Sequence, residues 1–145
     1  MFGSINTLDR NTLKHNFTLE DKYTLLEGRI VLSGIQALVR LLLDQNRADL
    51  FNGLNTGTLV SGYRGSPVGV LDLNLVRNKK LLDQHNVKFI PGVNEDLGAT
   101  LVYGSQMAGM VSSVKYDGVL GMWYGKAPGV DRTGDIFRHA NFMGV

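Results

Sequence analysis

The sequence predicts an open α/β domain, a parallel sheet with helices on both faces. Three observations carry this expectation. Segments with apolar residues at helical spacing alternate with short apolar runs that suit buried strands. The order helix, strand, helix, strand, helix, strand, helix puts a helix between successive strands, which parallel pairing requires. The 18 glycines, about twice the average usage, are gathered into short motifs between the apolar runs instead of being spread as in a linker.

The elements follow in order. Met1 to Asp21 is polar and aperiodic, rich in Asn and Thr, and reads as an N-terminal leader, with the domain proper spanning 22–145. From Gly34, apolar residues Ile35, Leu38, Val39 and Leu42 fall at i, i+3, i+4 and i+7, so a helix is expected to about Arg47, with Asn52, Gly53, Asn55 and Gly57 breaking it. Thr58 to Val60 makes a strand that ends in the turn Gly62-Tyr63-Arg64-Gly65-Ser66-Pro67. A second helix starts near Val68, with Leu71, Leu75 and Leu82 on its buried face and Asp72, Arg77, Lys79 and Asp83 on its solvent face. Val87 to Ile90 is the next strand, closed by Pro91-Gly92. Asn94 suits the N-cap of a third helix reaching about Ser112, with Leu97, Leu101, Ala108 and Val111 as its buried stripe. That helix also carries Gly98, Ala99, Gly104, Ala108 and Gly109. Each Gly costs about 1 kcal/mol relative to Ala, so something is expected to approach its backbone closely. Gly118 to Trp123 is the third strand, followed by a loop from Tyr124 to Val130 and a last helix from about Asp131.

Composition narrows the function classes. A chain of 145 residues, 43% hydrophobic and 19% charged, has the balance of one globular domain. The formal charge is only +2 and the basic residues are scattered, so neither composition nor patterning points to nucleic acid. Leu41 to Leu43 is as long as an uninterrupted apolar run gets, far short of a membrane span, and Met1 to Arg10 lacks the layout of a signal peptide. No membrane association and a cytoplasmic location are therefore expected. The chain has no cysteine, which excludes disulfides, a thiol nucleophile and cysteine-ligated clusters within it. Three strands are few for such a sheet, and the sequence stops at Ala140 to Val145 without a terminator after its last helix, as a domain truncated at the C-terminus would.

In an open parallel sheet, ligands bind outside the carboxyl ends of the strands, here Gly62 to Pro67, Pro91 to Asp96 and Trp123 to Arg132. In the first segment, Arg64 can pair with a carboxylate and Ser66 can hydrogen-bond one; the same Ser66 also suits a helix cap. The second segment puts Glu95 and Asp96 in the first turn of a helix, where acidic side chains complement the positive end of the macrodipole. The third mixes Trp123, Tyr124, Lys126 and Arg132 with glycines, a composition that lines binding sites and subunit interfaces alike. His15, His85 and His139 show no metal-ligand spacing, and Asp131, Arg132, Asp135 and Arg138 read as a charged helix face.

Taken together, Gly62-Tyr63-Arg64-Gly65-Ser66-Pro67, the stretch Gly92 to Thr100 (GVNEDLGAT) and the stretch Gly121 to Asp135 (GMWYGKAPGVDRTGD) resemble the N-terminal region of the indolepyruvate ferredoxin oxidoreductases, in the long fused bacterial form. The resemblance runs from Asp21 to Asn141, in the expected order and spacing. It implies a thiamine diphosphate-binding fold, specifically the pyrimidine-binding domain. Glu95 takes the position of the glutamate that hydrogen-bonds the aminopyrimidine ring nitrogen and so drives formation of the ylid, with Asn94 and Gly65 beside the cofactor. Ser66, with Arg64, takes the position of a Thr that lies beside the substrate carboxylate in relatives carrying Tyr-Pro-Gly-Thr-Pro, Arg64 replacing the proline.

The implied activity is oxidative decarboxylation of indolepyruvate and other aryl 2-oxo acids to acyl-coenzyme A, electrons passing through iron–sulfur clusters to ferredoxin. Magnesium, the diphosphate and the clusters are implied to be held by the remaining domains of the same enzyme, since neither a Gly-Asp-Gly then Asn motif nor a cysteine occurs here. A homo-oligomer is implied as well, and the segment alone is expected not to turn over. Two other readings stay open: another 2-oxo acid:ferredoxin oxidoreductase, acting on pyruvate or a branched-chain acid, and a non-catalytic α/β module for binding or assembly.

Overall fold

A computed structural model describes residues 17–65, 68, 70–110 and 113–144. Strands β1 (Thr56–Gly62) and β3 (Gly118–Tyr124) run parallel, paired from Thr56 opposite Gly118 to Gly62 opposite Tyr124. The short β2 (Val87–Phe89) pairs in parallel with the other edge of β1 through Thr58↔Val87, Leu59↔Lys88 and Val60↔Phe89. The strand order is β2-β1-β3, so the first strand is central. Parallel crossovers are right-handed, and a step to one side of β1 followed by a step to the other leaves the connecting helices on opposite faces.

The side chains of β1 show both faces covered. Val60 belongs to a buried core with Val39, Leu42 and Leu43 of helix α2 (Gly34–Phe51), Leu71 and Leu75 of α3 (Val70–Arg77), and Leu82 of α4 (Lys79–Gln84). The adjacent Ser61 points the other way, as alternation along a strand demands, and meets Gly98 of α5 (Glu95–Gln106). The predicted open α/β architecture with a parallel sheet is therefore the observed one.

Helix α2 starts with a reciprocal capping box: Ser33 Oγ accepts from Gln36 N at 3.3 Å, and Gln36 Oε1 accepts from Ser33 N at 2.9 Å. It runs to Phe51, past the predicted end at Arg47, and stops at Asn52-Gly53, where Gly53 takes the left-handed φ of +80°. Ahead of it, α1 (Asp21–Thr24) is a single turn whose orphan carbonyls are taken by arginines. Arg40 donates to Lys22 O (2.8 Å) and Leu25 O (2.7 Å), Arg47 donates to Tyr23 O (2.8 Å), and Asp44 pairs with both. Residues 1–16 of the predicted leader lie outside the described residues. Its last residues turn into α1, where the buried Asp21 accepts from Thr18 N and Oγ1.

Three sequence expectations are corrected. The helix expected as one piece from near Val68 is two, α3 and α4, joined at Asn78, whose backbone leaves helical geometry at φ −97° and ψ 14°. The loop expected from Tyr124 to Val130 becomes helical at α6 (Ala127–Arg132), since Pro128 in the first turn removes a donor that would be unpaired there anyway; α7 (Gly134–Met143) follows. The helix expected to reach Ser112 ends at Gln106 and tightens into a 3₁₀ turn, Met107–Met110, with residues 111 and 112 outside the described residues. No helix among the described residues is long and apolar enough to cross a membrane.

Candidate functional site

The three glycine-bearing segments meet where the strands end. Gly92 N donates to Gly62 O at 2.9 Å and Tyr63 bridges to Gly92, so the loop after β2 is stitched to the loop after β1. Gly92 and Gly98 then lie backbone to backbone: a Cβ on Gly92 would sit 3.0 Å from Gly98 Cα. The expected close approach to the small-residue helix is thus made by the chain's own sheet and loop. It occurs at Gly98, while Gly104 and Gly109 have open space beside them.

This packing reverses the predicted face of α5. Gly98 and Ala99 are buried, whereas Leu97 and Leu101 of the expected buried stripe are 54% and 37% exposed. A helix lying on a flat sheet gains most by presenting residues small enough for backbones to approach, which leaves its leucines outward. Ala108 is half-buried in the 3₁₀ turn, and Val111 lies outside the described residues.

Asn94 caps α5 as predicted, its Oδ1 accepting from Leu97 N at 2.8 Å. Glu95 is the first helical residue and is half-buried. Two contacts set its position. Trp123 Nε1 donates to Glu95 O at 3.2 Å, the indole itself wedged edge-on against Phe137. The Glu95 side chain lies along the buried Gly129 of α6, where a Cβ would come within 2.7 Å of Glu95 Cγ.

Its neighbour Asp96 is bound differently. Asp96 Oδ2 accepts from Arg132 Nε at 2.7 Å, tying α5 to α6 and holding the guanidinium's pKa above its ordinary value. Arg132 therefore leaves the charged helix face expected for it. The Glu95 carboxylate accepts no hydrogen bond and forms no ion pair among the described residues. Two oxygens nearby, Asp96 Oδ1 and Ser61 Oγ, are buried without a hydrogen-bond partner among the described residues.

The first loop divides. Gly65 takes φ +93° with nothing within 4 Å of where a Cβ would be, an exposed left-handed turn that glycine adopts without strain. Arg64 is exposed, and its Nε lies 3.8 Å from Asp72 Oδ2 on α3. Ser66, the predicted carboxylate contact, lies outside the described residues, as does Pro67.

Asp72 is the residue that sequence reasoning misplaced. Expected on the solvent face, it is 5% exposed and accepts a hydrogen bond from Tyr124 OH at the end of β3. No local signal marks this, because the partner is 52 residues away. Burial first, then the hydrogen bond and the negative charge of Asp72, push the Tyr124 phenol well above its ordinary pKa, with Arg64 pulling partly back. The folded chain thus holds this proton more tightly than the unfolded chain does, so the contribution is complete below about pH 10 and is lost as pH rises beyond it. Tyr124→Phe removes the donor from a buried carboxylate and is expected to cost about 1–3 kcal/mol, read as a lower urea midpoint; an unchanged midpoint would refute the contact's importance.

Among the described residues there is no group of three His, Cys, Asp or Glu able to hold a metal ion. In comparisons with protein-family models, with curated proteins and with solved structures, the chain finds no match.

Proposed function

We propose that this chain is the pyrimidine-binding domain of a cytoplasmic thiamine diphosphate-dependent 2-oxo acid:ferredoxin oxidoreductase, with indolepyruvate or a related aryl 2-oxo acid as substrate and coenzyme A as acyl acceptor. The observation that carries this reading is the contrast between Glu95 and Asp96. Asp96 has a structural task, its pair with Arg132, while Glu95 is held in place at the carboxyl edge of the sheet by Trp123 and Gly129, its carboxylate accepting no hydrogen bond among the described residues. A positioned, half-buried carboxylate that accepts no hydrogen bond among the described residues can accept one from a ligand.

The residues present fit one part of the cofactor. Glu95 offers a carboxylate oxygen to a ring N–H, and the glycine at 129 keeps a flat ring's approach clear of a side chain. Nothing among the described residues offers a ligand set for magnesium, and the chain has no cysteine, so the diphosphate, its metal and the iron–sulfur clusters are assigned to the remaining domains of the enzyme. When bound, thiamine diphosphate supplies the electron sink for losing carbon dioxide from a 2-oxo acid. The protein's part is to hold a proton between Glu95 and the ring nitrogen, to fix that glutamate through the Trp123 indole, and to present Arg64 and Ser66 to the substrate carboxylate.

A non-catalytic assembly module is the second reading, and the outward Leu97 and Leu101 on α5 favour it. Assay of the intact enzyme separates the two. Ferredoxin reduction with indolepyruvate, phenylpyruvate or pyruvate and coenzyme A is expected to vanish when thiamine diphosphate is stripped and to return when it is restored. Activity indifferent to the cofactor, or absent with all three acids, would overturn the proposal.

A further inference from the structure

A cleft of about 410 Å³ opens between α1 and the α3–α4 pair, and a second space of about 450 Å³ adjoins it, sharing Glu20, Tyr23, Arg77 and Asn78 as walls. Each is within the range of about 300–1,000 Å³ usual for small-molecule sites. The charged groups lining them are Arg77, Lys80 and Lys22 against Glu20 alone. Cations on the neighbouring helix surfaces are engaged: Arg40 and Arg47 by Asp44, Lys79 by Asp83. Arg77 and Lys80, both exposed, make no ion pair and no side-chain hydrogen bond among the described residues. The Lys22 ammonium lies 5.6 Å above the Tyr23 ring centroid and has no carboxylate partner among them either.

Three cations against one carboxylate leave two positive charges, the match for a doubly ionised phosphate monoester. The Arg77 fork and the Lys80 ammonium supply the two kinds of donor that phosphate oxygens take, one bidentate and one a point charge. Amides make up much of the remaining lining. Asn74 spends its amide N–H on Val70 O and keeps its oxygen, Gln36 spends its oxygen on the α2 cap and keeps its N–H groups, and Gln84 makes no side-chain hydrogen bond among the described residues. Donors and acceptors mixed in this way satisfy hydroxyl groups, which are both. An aromatic base would find no platform here, because Tyr23 is only 4% exposed and has Lys22 over its ring.

We propose that this cleft binds the phosphate monoester of a small polyol, a sugar phosphate, with the phosphate between Arg77 and Lys80 and the hydroxyls against the Asn74, Gln36 and Gln84 amides. The site belongs to the α3–α4 side of the sheet, opposite α5 and Glu95, and does not rest on the thiamine diphosphate reading. Glu20 opposes the ligand in this arrangement. The fold uses Glu20 through its backbone carbonyl, which accepts from Tyr23 N at 2.8 Å and Thr24 Oγ1 at 3.1 Å, so its carboxylate can be neutralised without loosening α1.

Equilibrium dialysis of radiolabelled ribose 5-phosphate against the intact protein tests this without any assay of turnover. Saturable binding is expected, weakened by added salt, competed by inorganic phosphate and not competed by ribose. Arg77→Gln and Lys80→Gln should each weaken it about tenfold, the loss of one charge-assisted hydrogen bond. Glu20→Gln should tighten it severalfold, a gain that a merely damaged surface would not give. All three side chains are exposed and free of side-chain hydrogen bonds among the described residues, so melting curves should stay at wild type, and Lys80→Gln keeps the test decisive should Arg77→Gln melt early. No saturable binding, ribose competing as well as its phosphate, or affinity indifferent to the Lys80 and Glu20 variants would overturn the site. Tighter binding of adenosine monophosphate, or of vesicles carrying phosphatidate, would overturn the sugar phosphate as its ligand.

Discussion

On the proposed thiamine diphosphate reading, Glu95→Gln in the intact enzyme is expected to lower turnover about 10²- to 10⁴-fold, the range contributed by a positioned proton-transfer group. Stability is expected to stay within about 0.5 kcal/mol of wild type. The two halves of this expectation come from different atoms. The fold uses Glu95 through its backbone carbonyl, which accepts from the Trp123 indole, and through its methylenes, which pack on Gly129; glutamine keeps both. Catalysis would use the carboxylate, which accepts no hydrogen bond among the described residues and which an amide cannot replace as a proton acceptor. Steady-state turnover with thermal melting of the same preparation decides the matter. Turnover within threefold of wild type would remove Glu95 from the chemistry, and a collapsed melting curve would make its role structural.

Gly62→Ala is expected to destabilise the chain by about 3 kcal/mol, the upper part of the usual range for forcing an atom into a packed interior. A Cβ at Gly62 would lie 2.6 Å from the Tyr124 carbonyl oxygen and equally close to the Tyr124 ring. The ring can turn, but the carbonyl belongs to the paired strand and cannot move without opening β1 from β3. Since Gly62 leads into the first loop and Tyr124 into the third, the same clash would spread the strand ends that hold the candidate site. Gly104→Ala gives the opposite sign within one experiment. Nothing lies within 4 Å of a Cβ there, so alanine should add up to about 1 kcal/mol by its better helix propensity. Urea midpoints of the two variants that moved together would show that these glycines are not distinguished by their surroundings.

Much of this architecture is legible locally. The capping residues Ser33 and Asn94, the apolar spacing of Leu38, Val39 and Leu42, and the glycine turns at the strand ends are signals that act over a few residues, and each marks an element found close to its expected place. Boundaries were less legible where the local rule was ambiguous. Pro128 reads as a loop residue until it is seen in the first turn of α6, and Asn78 reads as helical until its backbone is seen to leave helical geometry between α3 and α4.

The candidate site was legible in its residue types and illegible in its bonding. Adjacent carboxylates at a helix start look alike in sequence. Only the position of Arg132, 36 residues away, separates Asp96 with its ion pair from Glu95 without one. Asp72 is the same case at longer range, since a carboxylate next to solvent-facing residues becomes buried only because β3 delivers the Tyr124 hydroxyl to it.

By itself, then, the sequence determined the alternation of helices and strands, the parallel pairing that this alternation forces, and the gathering of Gly62, Gly92 and Gly125 at one edge of the sheet. These follow from periodicity, capping and turn chemistry, which depend on neighbours along the chain. The tertiary structure alone decided that α5 lies on Gly98 and Ala99 with its leucines outward, that Asp72 is internal, and that Asp96 and not Glu95 is hydrogen-bonded to Arg132. Each of these depends on which distant surface packs against which, and the energy that selects among such packings, close approach of backbones and pairing of buried charge, acts through space and leaves no mark on local sequence.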